Sequence, residues 1–128
     1  MPQVIISDTS CLILLDKIGE LHLLQKLFGT IYTTQAVADE FGTNFPGWII
    51  IQDPQNKTNQ RVLETALDKG EASAIALALE QQDCLLIIDE LKGRRLARQL
   101  GLTLTGTLGV LAAAKRSGHI PLLKPVLD

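Results

Sequence analysis

Aromatic side chains are scarce in this chain: three Phe, one Trp and one Tyr make up 4% of its 128 residues. Hydrophobic residues nevertheless reach 46%, so we expect a core built from the aliphatic side chains of Leu, Ile, Val and Ala. Such a composition favours layered α/β structure over a disulfide scaffold or a disordered chain. The length suffices for one domain with a single core, which we assign to residues 1–128.

Cysteine is also rare, and long apolar runs are missing. Cys11 and Cys84 lie within or beside apolar segments, so we expect small buried thiols in a reducing cytosol rather than a disulfide or a metal site. No apolar run approaches the roughly 20 residues of a membrane span, and the N-terminus lacks a basic segment followed by a long apolar one. These absences predict a soluble, cytoplasmic protein without a membrane partner.

Acidic side chains are absent from residues 91–127. This segment carries 7 basic side chains, whereas residues 1–90 carry 13 acidic and 5 basic ones, and the whole chain has a net charge of only -2. Segregation of this kind indicates a polyanionic partner such as a nucleic acid, although solvated helix faces would give the same pattern. The basic residues of the segment are Lys92, Arg94, Arg95, Arg98, Lys115, Arg116 and Lys124.

Short apolar stretches alternate with helical patterns along the chain. This alternation predicts a three-layer α/β/α sandwich with a central, mostly parallel sheet, in which ligands bind outside the carboxyl ends of the strands. We expect Gly70 to end one helix and the polar segment 53–59 to be a mobile connection. The predicted strands are 4–7, 30–34, 49–52, 84–88 and 102–105, and the predicted helices are 10–17, 20–28, 35–41, 61–67, 71–82, 91–100 and 108–116.

Acidic residues follow two of the predicted strands. Asp8 comes after the first strand, and Asp89 and Glu90 come after the apolar run in LLIIDE, so these carboxylates should lie at the same edge of the sheet. Glu40 and Glu71 could reach that edge from helices, on which they share a face with apolar side chains. Carboxylates in such places cost free energy unless something compensates them. A divalent cation that prefers oxygen ligands, such as Mg²⁺ or Mn²⁺, would do so.

Each acid also has a purely structural explanation. Asp8 or Ser10 could cap the helix that follows, and Asp89 could cap the helix predicted to begin near residue 91. Glu71 is favoured near a helix N-terminus by the macrodipole alone. The convergence of several acids on one edge nevertheless favours a cation that activates water for phosphodiester hydrolysis.

The segment LTLTGTLGVL adds a hydroxyl between a predicted strand and a helix. Thr107 and its backbone N–H could hold a phosphate or orient a metal-bound water, and an ordinary threonine cap is an equal alternative. No Cys–His pair or phosphate-binding Gly-rich loop indicates a competing chemistry. His22 and His119 lie in ordinary contexts, and we expect both at the surface.

Several of these residues together resemble a known family. The D-x-S of Asp8-Thr9-Ser10, followed by the V-x-x-E of Val37 to Glu40, resembles the PIN domain, a family of metal-dependent ribonucleases that includes many toxins of toxin–antitoxin pairs. The segments GEASAIALALE, LLIIDELKGRRLARQLGL and TGTLGVLAAAKRSG resemble one branch of small PIN-like proteins. The resemblance covers nearly the whole chain.

The resemblance implies an α/β/α sandwich, an acidic pocket that binds Mg²⁺ or Mn²⁺, and cleavage of single-stranded RNA. By position it implies a catalytic set of Asp8, Glu40, Glu71 and Asp89, with Ser10 and Thr107 as polar helpers. It also implies that an antitoxin protein and a homodimer are to be considered as partners.

We interpret the chain as an RNA phosphodiesterase in which Asp8, Glu71 and either Asp89 or Glu90 bind the metal. Glu40 would complete the negative pocket. The cations that follow the last acid, namely Arg94, Arg95 and Arg98, would hold the RNA backbone. A non-catalytic PIN-like module that binds RNA or protein is the main alternative. A receiver-like or phosphatase-like domain is a third interpretation. The segment DTS argues against it, because it lacks the D-x-D spacing of aspartate-based phosphatases.

Overall fold

The computed structural model of the chain describes residues 4–118, within which short strands alternate with helices. In chain order the elements are β1 (Val4–Ser7), α1 (Thr9–Lys17), α2 (His22–Phe28), β2 (Ile31–Thr33), α3 (Gln35–Phe41), β3 (Ile49–Ile51), α4 (Lys57–Leu63), α5 (Lys69–Leu79), β4 (Cys84–Ile87), α6 (Leu91–Gln99), β5 (Thr103–Thr105) and α7 (Thr107–Arg116).

The five strands form one sheet in the order β3-β2-β1-β4-β5, and every neighbouring pair is parallel. Side chains of successive strand residues enter opposite layers of the core, as the two-residue period of a strand requires. Ile5 and Ile87 pack with residues of α1, α2 and α7, whereas Ile6 and Leu86 pack with residues of α4, α5 and α6. Helices therefore cover both faces of the sheet, and the predicted α/β/α sandwich is confirmed.

The strand order places a topological switch point between β1 and β4. From β1 the chain winds outward through β2 and β3 on one side, and it returns to add β4 and β5 on the other. At the carboxyl ends of the central pair, Ser7 lies opposite Ile87, and the Asp8 N–H donates to the Ile87 carbonyl oxygen at 2.9 Å. Parallel α/β sheets leave a crevice for ligands at such a point.

Polar side chains fix where most of the relevant helices begin. Asp8, Thr34, Asp68 and Glu90 are the N-caps of α1, α3, α5 and α6, and the side chain of each accepts a hydrogen bond from a backbone N–H of the first turn. Such caps satisfy N–H groups that have no partner inside the helix. The first turns of these helices are consequently set at the carboxyl edge of the sheet.

Two predictions between β3 and β4 are wrong. The helix predicted at 61–67 is α4 at Lys57–Leu63, because the Asn56 side chain accepts hydrogen bonds from two backbone N–H groups and starts the helix within the supposed mobile segment. Gly70 does not end a helix but is the second residue of α5, since Asp68 caps that helix two residues earlier than the pattern suggested.

The remaining general predictions have mixed outcomes. Both cysteines are free, with Cys11 buried and Cys84 partly buried. His22 is exposed, whereas His119 and Lys124 lie outside the described residues. Within residues 4–118, no helix is long and apolar enough to cross a bilayer. The assignment of one domain to residues 1–128 stays a prediction.

Candidate active site

Asp8 and Asp89 meet at the switch point of the sheet. The Asp8 side chain is fully buried, with an exposed fraction of 0%. Its Oδ1 accepts the Cys11 N–H at 3.3 Å, which makes Asp8 the cap of α1, and its Oδ2 accepts the Asp89 N–H at 3.4 Å. Asp8 thus has the predicted capping role and, in addition, connects the ends of β1 and β4.

The Asp89 carboxylate is held by Thr107 from the start of α7. Oδ1 accepts the Thr107 backbone N–H at 2.7 Å, and Oδ2 accepts the Thr107 hydroxyl. Neither residue is a helix cap, because Glu90 caps α6 and Gly106 occupies the N-cap position of α7. The alternative capping roles considered for Asp89 and Thr107 are therefore wrong, and Thr107 instead fixes the orientation of Asp89.

Glu71 lies in the first turn of α5, and only 7% of it is exposed. Its backbone N–H donates to Asp68 Oδ1 at 2.8 Å. The Asp68 backbone N–H in turn is hydrogen-bonded to the Glu71 carboxylate, a contact that partly offsets the rise in its pKa. Within residues 4–118 no buried polar side-chain atom lacks a partner.

Glu40 is exposed, so the expectation that it lies on a core-facing stripe is wrong. The helix α3 buries only Val37, and its last turn passes over the edge of the sheet. Glu40 Oε1 still accepts the Thr9 hydroxyl at 3.2 Å. A Cβ at Gly70 would collide with the same oxygen, so the missing side chain at Gly70 permits α5 to approach Glu40.

Burial and mutual repulsion shift the pKa values of these acids. Burial, followed by the charge of Asp89, raises the pKa of Asp8 from 3.8 to about 7. Burial, followed by the charges of Asp68, Glu90 and Asp8, raises the pKa of Glu71 from 4.5 to about 7. These acids therefore act on one another through space as members of a single negative region.

Asp68 also belongs to this region, although sequence reasoning missed it. Its charge raises the pKa of Asp8, Glu40 and Glu71. The available signal was the spacing of Asp68 three residues before Glu71, which is typical of an N-cap followed by an acid in the first turn. That signal was lost because Gly70 was interpreted as the end of a helix.

Two predicted site residues, Glu90 and Ser10, take no part in the hydrogen bonds that hold Asp8 and Asp89. Glu90 Oε2 accepts the Gly93 N–H at 2.9 Å, and its backbone hydrogen bonds lower the pKa of its carboxyl. Glu90 is therefore engaged as the cap of α6, next to Asp89. Ser10 is exposed on α1, and within the described residues its side chain makes no hydrogen bond.

The predicted RNA-binding arginines differ in their surroundings. Arg94 is partly buried, and its Nη1 donates to the Ile88 carbonyl oxygen at 2.7 Å. Arg95 and Arg98 are exposed on the same helix. In the described part of the chain, no carboxylate lies within 4.0 Å of any of the three guanidinium groups.

The acidic side chains at this edge offer oxygen donors, which match the preference of Mg²⁺ and Mn²⁺. Among residues 4–118, no group of three or more His, Cys, Asp and Glu side chains is placed so that it could hold an ion. Mg²⁺ usually takes one or two carboxylates and completes its shell with water and substrate phosphate. The buried Asp8 and the partly buried Asp89, whose charge raises the pKa of Asp8, therefore fit such an ion.

Away from this site, an open groove with a volume of about 860 Å³ lies between α3 and β3. Gln35, Asp39 and the isoleucines of β3 line it, and it contains none of the predicted site residues. The groove is wide open, and none of the acids that interact at the switch point lines it. The chemistry of the molecule is therefore concentrated at the switch point.

Comparison with protein-family models gives a match. A family model described as a PIN domain matches residues 4–128, which is nearly the whole chain. No curated protein matches the sequence.

Proposed function

The chain belongs to the PIN-domain family, whose members are typically nucleases, and from this membership we propose that it is a metal-dependent endoribonuclease acting on single-stranded RNA. The observation that best supports the proposal is the junction of Asp8 and Asp89 at the switch point. The fully buried Asp8 carboxylate accepts a hydrogen bond there from the backbone N–H of Asp89, which lies 81 residues further along the chain. Such an arrangement is costly without a cation to compensate it.

Asp8 and Asp89 would contact the metal, which we propose to be Mg²⁺ or Mn²⁺, and Glu71, which residues 4–118 do not bring into a three-acid group with them, would reach it through water. When bound, the ion would lower the pKa of a water molecule and stabilise charge on the phosphodiester oxygens. We assign Asp89 rather than Glu90 to this role, because Glu90 is engaged with the first turn of α6. Glu71 belongs to the same negative region, since the charge of Asp8 contributes to its raised pKa, and it would complete the metal site.

The other residues of the site would position these acids. Thr107 donates two hydrogen bonds to Asp89, and backbone N–H groups fix both oxygens of Asp8. Fixed dipoles and ligands need little reorganisation during a reaction. Thr9 holds Glu40 at the rim, where Glu40 would keep the pocket negative and help to orient water.

Substrate binding would rest on the basic helix α6. The acidic site repels a polyanion, so attraction has to come from neighbouring cations, and α6 presents Arg94, Arg95 and Arg98 beside the end of β4. Contacts of this kind release counterions and make binding weaken with salt.

The assay for the proposal is cleavage of purified single-stranded RNA in Mg²⁺, in Mn²⁺ and in EDTA. We expect cleavage with either metal, none in EDTA, and loss of cleavage in Asp8→Asn. The matched control is Asp16→Asn, which changes an exposed acid on the same helix and should retain cleavage. A wild-type protein that binds RNA but never cuts it would instead be a non-catalytic PIN-like module.

The finer assignments depend on partners. A toxin role predicts a small antitoxin protein that covers the acidic pocket, and co-expression with the product of a neighbouring reading frame would test it. A homodimer is tested by light scattering of the purified protein. The cytoplasmic location stays a prediction from composition.

A further inference from the structure

Helix α6 carries a partly buried cation, Arg94, that forms no ion pair within 4.0 Å in the described part of the chain. Arg94 Nη1 donates to the Ile88 carbonyl oxygen at 2.7 Å, and this bond fixes the guanidinium at the end of β4. No carboxylate of residues 4–118 lies within 4.0 Å of it. A guanidinium has five N–H donors, so most of them are left for an anion.

A cavity of about 340 Å³ opens beside this guanidinium. Its size is near the lower end of the roughly 300–1,000 Å³ range of small-molecule pockets, so it suits one nucleotide better than a duplex. Its lining residues are Asp89, Arg94, Thr105, Gly106, Leu108 and Gly109.

Gly106 keeps this cavity open. A Cβ at Gly106 would lie 2.7 Å from Asp89 Oδ1 and 2.9 Å from Arg94 Nη1. The acid and the cation thus flank the space that a Gly106 side chain would fill, although they do not form an ion pair within 4.0 Å. A ligand in the cavity would meet both groups.

The cavity combines a cation with an exposed apolar side chain. Leu108 is 67% exposed and lines the cavity. A guanidinium matches the geometry of a phosphate and binds it through charge-assisted hydrogen bonds. The apolar surface of Leu108 suits the face of an unpaired base, which a duplex would not present.

We propose that this cavity is a single-nucleotide subsite, in which Arg94 binds a phosphate of single-stranded RNA and Leu108 contacts the adjoining base. The inference rests on the proposed function, since it places one nucleotide of the substrate next to Asp89. In this proposal Arg94 binds one phosphate at a defined position. The exposed Arg95 and Arg98 would instead attract the RNA backbone without a fixed binding position.

The test is the affinity of a fluorescent single-stranded RNA hexamer, measured in EDTA as a function of salt. We expect Arg94→Ala and Arg94→Gln to weaken binding about tenfold or more, and Arg94→Lys to restore part of it. The control is Arg116→Ala, which removes an exposed arginine at the far end of α7 and should change affinity less than twofold. Arg94→Gln retains a donor for the Ile88 carbonyl, so a folding defect in Arg94→Ala would not obscure the result.

Leu108 is tested in the same assay. Leu108→Ala should weaken binding several-fold, whereas Leu91→Ala, which truncates an equally exposed leucine outside the cavity, should not. Equal losses in the Arg94 and Arg116 variants, or no binding by the wild-type protein, would overturn the subsite.

The outcome separates the subsite from the nuclease activity. RNA cleavage together with binding that is insensitive to Arg94 rejects the subsite and keeps the nuclease. Binding that depends on Arg94 without any cleavage in Mg²⁺ or Mn²⁺ keeps the subsite and rejects the nuclease.

Discussion

Replacing Asp8 by asparagine should stabilise the protein at pH 8 and destabilise it at pH 4. Burial, with a contribution from the charge of Asp89, raises the pKa of Asp8 from 3.8 to about 7. An acid whose pKa is higher in the folded state opposes folding once it ionises, so the free energy of unfolding falls as pH rises from about 4 to about 7. At about 1.4 kcal/mol per pKa unit, the ionised Asp8 costs roughly 4 kcal/mol at pH 8.

Asparagine removes this charge, but its side chain has one oxygen acceptor where aspartate has two. Asp8 accepts backbone N–H groups with both oxygens, so one of them loses its partner in the variant, at a cost of about 1–2 kcal/mol. The expected net gain at pH 8 is therefore about 2–3 kcal/mol. At pH 4 the folded wild-type protein already carries a neutral Asp8, and only the loss of about 1–2 kcal/mol remains.

Urea unfolding followed by circular dichroism, in EDTA at both pH values, measures these differences. Asp16→Asn, an exposed change on the same helix, should alter the free energy of unfolding by no more than about 0.5 kcal/mol at either pH. If Asp8→Asn were less stable than the wild-type protein by the same amount at pH 8 and pH 4, Asp8 would be an ordinary helix cap. The argument for a costly buried charge would then be refuted.

Three further predictions concern the neighbours of the buried pair. Thr107→Val removes the hydroxyl hydrogen bond to Asp89 but keeps the backbone one, so the rate of RNA cleavage should fall about 10–100-fold. Thr107→Ser keeps the hydroxyl and should cleave at close to the wild-type rate. Equal rates in the two variants would contradict this role of Thr107. Gly70→Ala places a Cβ against Glu40 Oε1 and should displace that carboxylate, which lowers the rate of RNA cleavage. The thermal unfolding midpoint serves as the control that the fold is kept. An unchanged cleavage rate would show that Glu40 is dispensable. Glu90→Ala removes the cap of α6 and should lower the midpoint of urea unfolding without loss of cleavage, whereas lost cleavage would place Glu90 at the metal.

The central pair could be predicted because it depends on rules that act along the chain and across a parallel sheet. Val4–Ser7 and Gln35–Phe41 have the predicted bounds, since apolar runs and clear helix signals define them locally. Once the sheet is parallel, the residues after its inner strands must share an edge. The proximity of Asp8 to Asp89 follows from that geometry.

What could not be predicted depends on contacts between distant side chains. Asp89 is held by Thr107, 18 residues away, and no local pattern distinguishes this arrangement from a cap on α6. The role of Gly70 is similar, because its missing side chain matters only where α5 passes Glu40. Asp68 was missed for the same reason, since its importance comes from the charges around it rather than from its own segment.

The most direct test of the account is paramagnetic broadening by Mn²⁺ in amide NMR spectra of the ¹⁵N-labelled protein. At substoichiometric Mn²⁺, the amide signals of Asp8, Glu71 and Asp89 should broaden together, and that of Asp16 should stay sharp. Broadening at separate surfaces, or at only one of the three, would contradict a shared metal site.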